Sequence, residues 1–327
     1  MDQVLQADLG KLTASEFRRI SIGLKPSGLI HLGTAMTFLH GMIGLQKNRD
    51  ATLDVAVMDL DFDFQRGPDF VSFQAAPDTQ ACHVLMKEHT EMETVVALNE
   101  MASYFGVNPQ RIKVGQFSQI TYDPRFQEYL DMLFGTLEGR RLLGRTVNGG
   151  KYKTSSFLAP ICNSCGHSST HPPKLRQKDT KIVLETKCYN DGCEVEKYSV
   201  SLTEPGKVNL FYLVDPIRDL IPNLEGASAD VHIFGGDYIS PYGIDGTPKA
   251  NRVFRLMEGL SSNAPLIYVG PVLTYGGSKV GKSLQNVFTV ESMRAKHPNW
   301  VERLHDLLND HPTAPVIELK HQKKYFI

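Results

Sequence analysis

"TYGGSKVGKSLQN", residues 274–286, admits two readings, and the fold follows from the choice between them. Taken from Gly276 it fits the phosphate-loop pattern of Gly, four residues, then Gly-Lys-Ser, with Gly276, Gly281, Lys282 and Ser283 in place. Taken from Lys279 it is a lysine loop, K-V-G-K-S, that brings two ammonium groups to a phosphate chain. The phosphate-loop reading needs the strand "PLIYVG" to feed the glycines directly, a helix after Ser283, and a magnesium-binding Asp on a later strand. Only 44 residues, 284–327, follow Ser283, with one candidate strand, "APVIEL", among them. The lysine-loop reading needs instead the loop at the end of the sheet's final strand, paired in space with a second phosphate site at the sheet's beginning.

That second site lies near the N-terminus. "GLKPSGLIHLGTA", residues 23–35, carries a Pro-Ser-Gly turn out of an apolar run and into a helix beginning near Leu29. Such a turn presents backbone N–H groups and the positive end of a helix dipole at the C-terminal edge of a sheet, where phosphates bind. His31 adds an imidazole donor, and Gly33 a gap through which a nucleotide approaches the backbone. Taken alone, the turn is ordinary and His31 reads equally as a helix cap.

The rest of the chain supplies a frame for both motifs. Short apolar runs ("RISIGL", "LDVAVMDLDF", "RIKVGQF", "KVNLFYLV", "DVHIFGG", "PLIYVGPVL") alternate with segments of helical period at 78–105, 123–143 and 247–260. This is the pattern of an α/β protein with a doubly wound parallel sheet. The 327 residues, 41% of them apolar, suffice for one large or two medium domains. A formal charge of −1 excludes non-specific coating of nucleic acid, so any RNA contact must rest on a local patch. The N-terminus has no basic-then-apolar pattern and no apolar run reaches 18 residues, so the expectation is a cytoplasmic protein without a membrane partner.

Between Val147 and Gly206 the alternation breaks, and four of the five cysteines fall there: Cys162-x2-Cys165 and Cys188-x4-Cys193, with 22 residues (166–187) between the pairs. Two knuckles supplying four thiolates fill a tetrahedral shell, so the implied metal is a structural Zn2+ in an inserted zinc-ribbon-like module. Gly166 and Gly192 allow the tight turns; His167 and His171 are expected as solvated loop residues rather than ligands. Free thiols are the alternative. Cys82 is expected to be a buried apolar residue.

With these motifs in hand, the chain resembles the class I aminoacyl-tRNA synthetases, and within them is most similar to the catalytic domain of class I lysyl-tRNA synthetase. "PSGLIHLGT" (26–34) matches the H-I-G-H type motif and "KVGKS" (279–283) the K-M-S-K-S type motif. "YDPRFQEYLDMLFGTLEGR", "FLAPICNSCG" and "VDPIRDLIPNLEGASADVHIFGGD" look like that family's middle region. The resemblance implies a Rossmann-like catalytic domain in two halves, 1–146 and 207–290, with the zinc module at 147–206 and a short segment, 291–327, in place of the family's C-terminal anticodon-binding domain.

It also implies ATP-dependent activation of an amino acid, with Mg2+ accompanying ATP, and transfer to the tRNA acceptor stem or another acceptor. His31, Lys279, Lys282 and Ser283 would be catalytic; Pro26, Ser27, Gly28, Gly33, Thr34, Gly235 and Asp237 would hold ATP. Thr37 stands where the family carries a Glu for lysine recognition and Lys25 where it carries Thr. Both are therefore amino-acid-pocket candidates, together with Gly23, Asp59 and Asp61. Arg140, Arg141, Arg145, Lys151 and Lys153 are candidate RNA contacts, or an ordinary solvated face. Two rivals remain: a catalytically silent paralogue that binds nucleotide or tRNA, and a P-loop NTPase with a zinc ribbon.

Overall fold

The structure is a computed structural model. It describes residues 4–6, 8–14, 16–24, 26, 30–60, 79–148, 154–168, 171–179, 181–188, 193–210, 214–220, 229–236, 249–260, 265–276, 278–279, 289–322 and 325. After a short strand β1 (Val4–Gln6) and helix α1 (Leu9–Ala14), "RISIGL" forms β2 (Arg19–Leu24), buried everywhere but Gly23. Burial on both faces is what a central parallel strand requires. Helix α2 (Leu32–Lys47) follows, then β3 (Thr52–Val57), the long helix α3 (Thr79–Phe105) and β4 (Ile112–Gln116). Helix α3 stops where Gly106 takes a φ of 64°, which lets the Val107 N–H bond back to the Ala102 carbonyl at 2.9 Å.

The segment at 123–143 was expected to be one helix, and it is broken. Helices α4 (Phe117–Ile120) and α5 (Pro124–Leu130) lead into a π turn, Asp131–Gly135, before α6 (Leu137–Asn148). Thr136 restarts the helix by accepting the Gly139 N–H on its hydroxyl at 2.9 Å. Gly139 also permits the fold-back, since a Cβ there would lie 2.0 Å from the Met132 carbonyl oxygen.

The inserted region comprises β5 (Leu158–Pro160), β6 (Lys174–Lys178), β7 (Lys181–Lys187), β8 (Lys197–Ser201) and β9 (Val208–Leu210). β5 and β9 pair antiparallel where the chain enters and leaves, and β6–β7–β8 form a separate antiparallel sheet. The chain then runs through α7 (Val214–Leu220), β10 (Val231–Phe234), α8 (Lys249–Leu260) and β11 (Leu266–Val269). It continues as the hairpin β12 (Val272–Tyr275) and β13 (Ser278–Lys279), α9 (Val290–Lys296), α10 (Trp300–Asp310) and β14 (Val316–Glu318).

The main sheet has the order β1-β11-β10-β2-β3-β4, with every neighbouring pair parallel. Read from β4 to β11 in order of appearance this is 3-2-1-4-5, the doubly wound arrangement expected from the sequence. The direction of winding reverses between β2 and β10, so the crevice for a ligand lies at the C-terminal ends of those two strands. Helix α2 covers one face of the sheet and shares its core with α3 and with Trp300, Leu304 and Leu308 of α10. On the opposite face a second core joins Ala56 and Phe117 to Leu133, Ile217 and Leu256, and continues into Leu184 and Val200 of the inserted sheet. The inserted module therefore has a sheet of its own but is seated on the main body through its inner side.

Candidate active site and metal centre

β2 ends with Leu24 at the switch point, and His31 is the N-cap of α2. With φ −88° and ψ 164°, His31 is extended, and its Nδ1 accepts the Thr34 N–H at 3.3 Å. The ring lies back over the first helical turn, where a Cβ on Gly33 would come within 3.1 Å of it. Gly33 thus makes room for the imidazole of its own helix.

The chain after the lysine-loop stretch meets the start of α2 through the backbone. His31 forms an antiparallel bridge with Thr289, and the Val290 N–H donates to the Ile30 carbonyl at 2.8 Å. Thr289 also starts α9 with a capping box shared with Ser292. Thr289 and Val290 therefore lie directly against the start of α2. Earlier in the chain, Thr274 and Tyr275 of β12 pair antiparallel with Lys279 and Ser278 of β13 across a tight turn in which Gly276 has φ 60°. The Glu318 carboxylate braces this hairpin, accepting the Gly276 N–H at 2.8 Å and the Thr274 hydroxyl at 3.1 Å.

This arrangement overturns the phosphate-loop reading. Ser278 and Lys279, which would have to wrap a phosphate as irregular backbone, are instead strand residues, and β12 pairs with β13 and β14 rather than joining the main sheet. Nucleotide-loop geometry requires a parallel strand leading straight into the glycines. The same placement corrects the expectation that the lysine loop ends the main sheet's final strand: that strand is β11, and β12, in a separate sheet, stands between it and Lys279.

The remaining site residues divide into three groups. Pro26 is buried beside the switch point, and Gly23 is exposed on β2 opposite Ala56. Gly235 follows β10, and Gly236 after it touches the next crossing: a Cβ on Gly236 would fall 2.5 Å from the Val272 nitrogen. That steric demand was missed from sequence, although the Gly-Gly doublet after a strand signals close backbone approach.

Thr37 and Asp59 are already engaged within the protein. The Thr37 hydroxyl donates to the Gly33 carbonyl at 3.1 Å, and Asp59 accepts the Ser118 N–H at 2.8 Å and pairs with Lys87 at 3.4 Å. Lys25, Ser27, Gly28, Asp61, Asp237, Lys282 and Ser283, the side chain of Lys279, and Lys151 and Lys153 lie outside the described residues.

Beneath the switch point lies a buried polar network that no local sequence pattern assembles. Asp219 of α7 accepts the Ser21 hydroxyl from β2 at 2.6 Å and Nε–H of Arg218 at 3.1 Å, and bonds His232 Nδ1 on β10. All four side chains are essentially inaccessible to solvent. Burial pushes the Asp219 carboxyl up, but the Arg218 guanidinium, then His232 and Ser21, hold it well below the usual carboxylate range. The network joins the two strands whose ends form the crevice. Alongside it, a cleft of about 430 Å³ opens on the second face of the sheet, with Arg19, Asp54, Lys113 and Arg218 in its wall.

The four cysteines converge. Their sulfurs all lie within 4.8 Å of one another, with Cys162 Sγ 3.8 Å from Cys193 Sγ and Cys165 Sγ 3.5 Å from Cys188 Sγ. A tetrahedral zinc with Zn–S of about 2.3 Å places its sulfurs about 3.8 Å apart, so the set fits zinc and is too open for disulfides. Gly166 makes the first knuckle with φ 71°, its N–H bonded to the Cys162 carbonyl at 2.9 Å. The Val195 backbone N–H chiefly lowers the Cys193 thiol, to about 7, against burial and with help from the other three cysteines. Among the described residues neither His167 nor His171 joins the set. His171 is exposed as expected; His167 is not a solvated residue but is buried, its carbonyl bonded to the Cys162 N–H. Cys82 lies on α3, with its side chain outside the described residues.

No protein-family model matches the chain, and no curated protein matches it in sequence. Among solved structures it is similar to tyrosyl-tRNA synthetase from Aeropyrum pernix, at 12% identity and a TM-score of 0.44 over 88% of this chain and 64% of that one. It is also similar to a putative arginyl-tRNA synthetase from Campylobacter jejuni, at 12% identity and a TM-score of 0.45 over 95% of this chain and 67% of that one. A third is tyrosyl-tRNA synthetase from Archaeoglobus fulgidus complexed with L-tyrosine, at 14% identity and a TM-score of 0.44 over 94% of this chain and 75% of that one. The chain spans just under two thirds of the Aeropyrum pernix enzyme's length.

Proposed function

We propose that the chain catalyses adenylate formation of the class I aminoacyl-tRNA synthetase type. An amino-acid carboxylate attacks the α-phosphorus of ATP, the bond to the bridging oxygen breaks, and pyrophosphate leaves. The observation that carries this reading is the pairing of Thr289 with His31, which ties the chain after the lysine loop to the start of α2 at the switch point. Negative charge grows on the phosphoryl oxygens and on pyrophosphate, and Lys279 and Lys282 neutralise it from one side. His31, released from its own helix cap, and the N–H groups at the start of α2 act from the other. Removing one such donor usually costs about 3 kcal/mol of transition-state stabilisation.

In this reading Pro26, Ser27, Gly28, Gly33, Thr34, Gly235 and Asp237 surround ATP, which arrives with Mg2+, and Ser283 assists at the lysine loop. Gly23, Lys25, Thr37, Asp59 and Asp61 lie at or behind the amino-acid pocket. Residues 1–146 and 207–290 form the two halves of the catalytic domain, and 147–206 the module in which Cys162, Cys165, Cys188 and Cys193 hold a structural Zn2+. The aminoacyl group then passes to tRNA or another acceptor.

The test is ATP–pyrophosphate exchange screened over all amino acids and repeated with Lys282→Ala. One amino acid should support exchange, and Lys282→Ala should lower the rate by about a hundredfold. Exchange with no amino acid removes the reading, and an unaffected Lys282→Ala removes the lysine-loop assignment.

A second reading, a catalytically silent relative that binds nucleotide or tRNA, draws on Asp59, which is buried and whose charge is already paired with Lys87 while it accepts the Ser118 N–H. Nucleotide binding without exchange would favour it.

A further inference from the structure

The antiparallel sheet β6–β7–β8 has two unlike faces. Leu175, Leu184 and Val200 lie directly opposite one another across the strands and form the inner side, with Tyr198 on the same side donating its hydroxyl to the Pro160 carbonyl at 2.8 Å. The alternate residues form the outer side: Lys174, Arg176, Lys178, Lys181, Lys187 and Lys197, all exposed. Glu185, bonded to Arg176 at 2.6 Å, is the acidic side chain among the described residues of that face. A chain of formal charge −1 thus gathers six cations against one carboxylate on a single rigid surface.

The placement is costly to the fold. Lys178 lies directly opposite Lys181, and Lys187 directly opposite Lys197, and like charges facing each other across a ladder destabilise it. A tetrathiolate zinc site carries net negative charge, which offsets Lys187 and Lys197 beside the cysteines. It does not reach the other end of the hairpin, where Lys174, Arg176, Lys178 and Lys181 cluster around the turn at Asp179 (φ 52°). Against those four cations stand the Glu185 and Asp179 carboxylates, and the surplus positive charge is what a polyanion would relieve.

We infer that this outer face docks the phosphate backbone of structured RNA, the acceptor in the reaction proposed above. Residues two apart on a strand recur about 6.8 Å apart and neighbouring strands lie about 4.8 Å apart, so the cations form a grid on the scale of successive phosphates. The Ser199 and Ser201 hydroxyls on the same face add neutral donors to phosphate oxygens. A membrane surface is a poorer match, because Val183 is the apolar side chain of this face and surface-bound elements need a buried apolar anchor. Recognition here is by backbone geometry, as befits RNA helices whose base edges are hard to reach. The inference deepens the acceptor half of the functional reading and rests on that reading only there.

The experiment uses zinc-loaded full-length protein, an unfractionated tRNA pool and a short RNA hairpin as probes, and affinity measured across a salt series. Lys174→Gln/Lys178→Gln/Lys181→Gln is compared with Lys11→Gln/Lys47→Gln/Lys296→Gln, which removes the same charge elsewhere. Each lost phosphate contact lowers the steepness of log K against log salt by roughly 0.7–0.9. The first triple should therefore flatten the slope by about 2–3 and weaken low-salt binding at least tenfold, and the second should match the wild type.

Zinc content and melting temperature verify folding. If the triple misfolds, Lys178→Gln/Lys181→Gln, which removes a repulsive pair, carries the test with an expected slope change of about 1.5. An unchanged slope, a wild type that ignores both RNAs, or loss of binding to phosphatidylserine vesicles while RNA binding persists overturns the proposal. Pyrophosphate exchange on the same samples separates the two ideas. Exchange should survive in the triple, and its absence from the wild type would sink the adenylate reading while the salt series still judges the RNA face.

Discussion

Asp219 is the residue on which the switch point is held together. It carries a fully buried charge shared among Arg218, His232 and Ser21, and so links α7, β10 and β2. Asp219→Asn keeps the volume but leaves the Arg218 guanidinium buried without its counter-charge, which should cost about 3–5 kcal/mol in urea unfolding. His40 sets a different limit. It is wholly buried on α2, its Nδ1 2.7 Å from the Met36 carbonyl, and burial lowers its pKa to about 4 against that hydrogen bond. The unfolded chain takes up this proton below about pH 6.5, whereas the folded protein resists it until about pH 4. Protons therefore favour unfolding across that window. Stability should fall by up to about 3 kcal/mol as pH drops through it, and His40→Gln should flatten this part of the pH–stability curve.

At the level of elements, the inserted module and the lysine hairpin depend on different supports. Outside its inner side, the β6–β7–β8 sheet is largely polar, and the cysteine knuckles close it at the end opposite the Asp179 turn. Structural zinc supplies on the order of 10–16 kcal/mol of binding free energy, enough to fold such a segment. Chelation, or Cys165→Ser, should release one equivalent of zinc and open the module to hydrogen exchange, while amides in β2, β3 and β10 stay protected. Simultaneous loss of protection in the main sheet would mean that the second core cannot stand without the module. The hairpin combines the Gly276 turn with a brace from Glu318, 42 residues further on, so β14 shares in setting its geometry.

Across the whole molecule, the C-terminal residues prove to be part of the body. The stretch 291–327 was expected as a short tail with one strand; it contributes α10 and β14, and Trp300, Leu304, Leu307 and Leu308 are buried in the first core. Arg294 of α9 bonds Glu93 at 3.2 Å and Glu100 at 3.1 Å on α3, and the Trp300 indole N–H donates to Glu100 at 2.9 Å. Truncation after residue 290 exposes the outer side of α2 and α3. The truncated protein should lose cooperative thermal unfolding, because one Trp-to-Ala-sized loss alone is worth about 3–5 kcal/mol and several such groups go together.

The α/β class, the strands in "RISIGL" and "DVHIFGG", the cysteine set and the helix after Pro-Ser-Gly were all legible in the sequence, whereas "PLIYVGPVL" splits into β11 of the main sheet and β12 of another. Each is fixed by local pattern: apolar runs, helical period, ligand spacing and turn chemistry act over a few residues. The break at Thr136, the backbone contact at Gly236, the Asp219 network, the Glu318 brace and the bridge from His31 to Thr289 were not. They join residues up to 258 positions apart, and no local propensity states which distant backbone or charge will be opposite. The same holds for the choice between the two readings of "TYGGSKVGKSLQN". Its letters satisfy both, and only the antiparallel return of Ser278–Lys279 onto β12, away from the main sheet, decided against a phosphate loop.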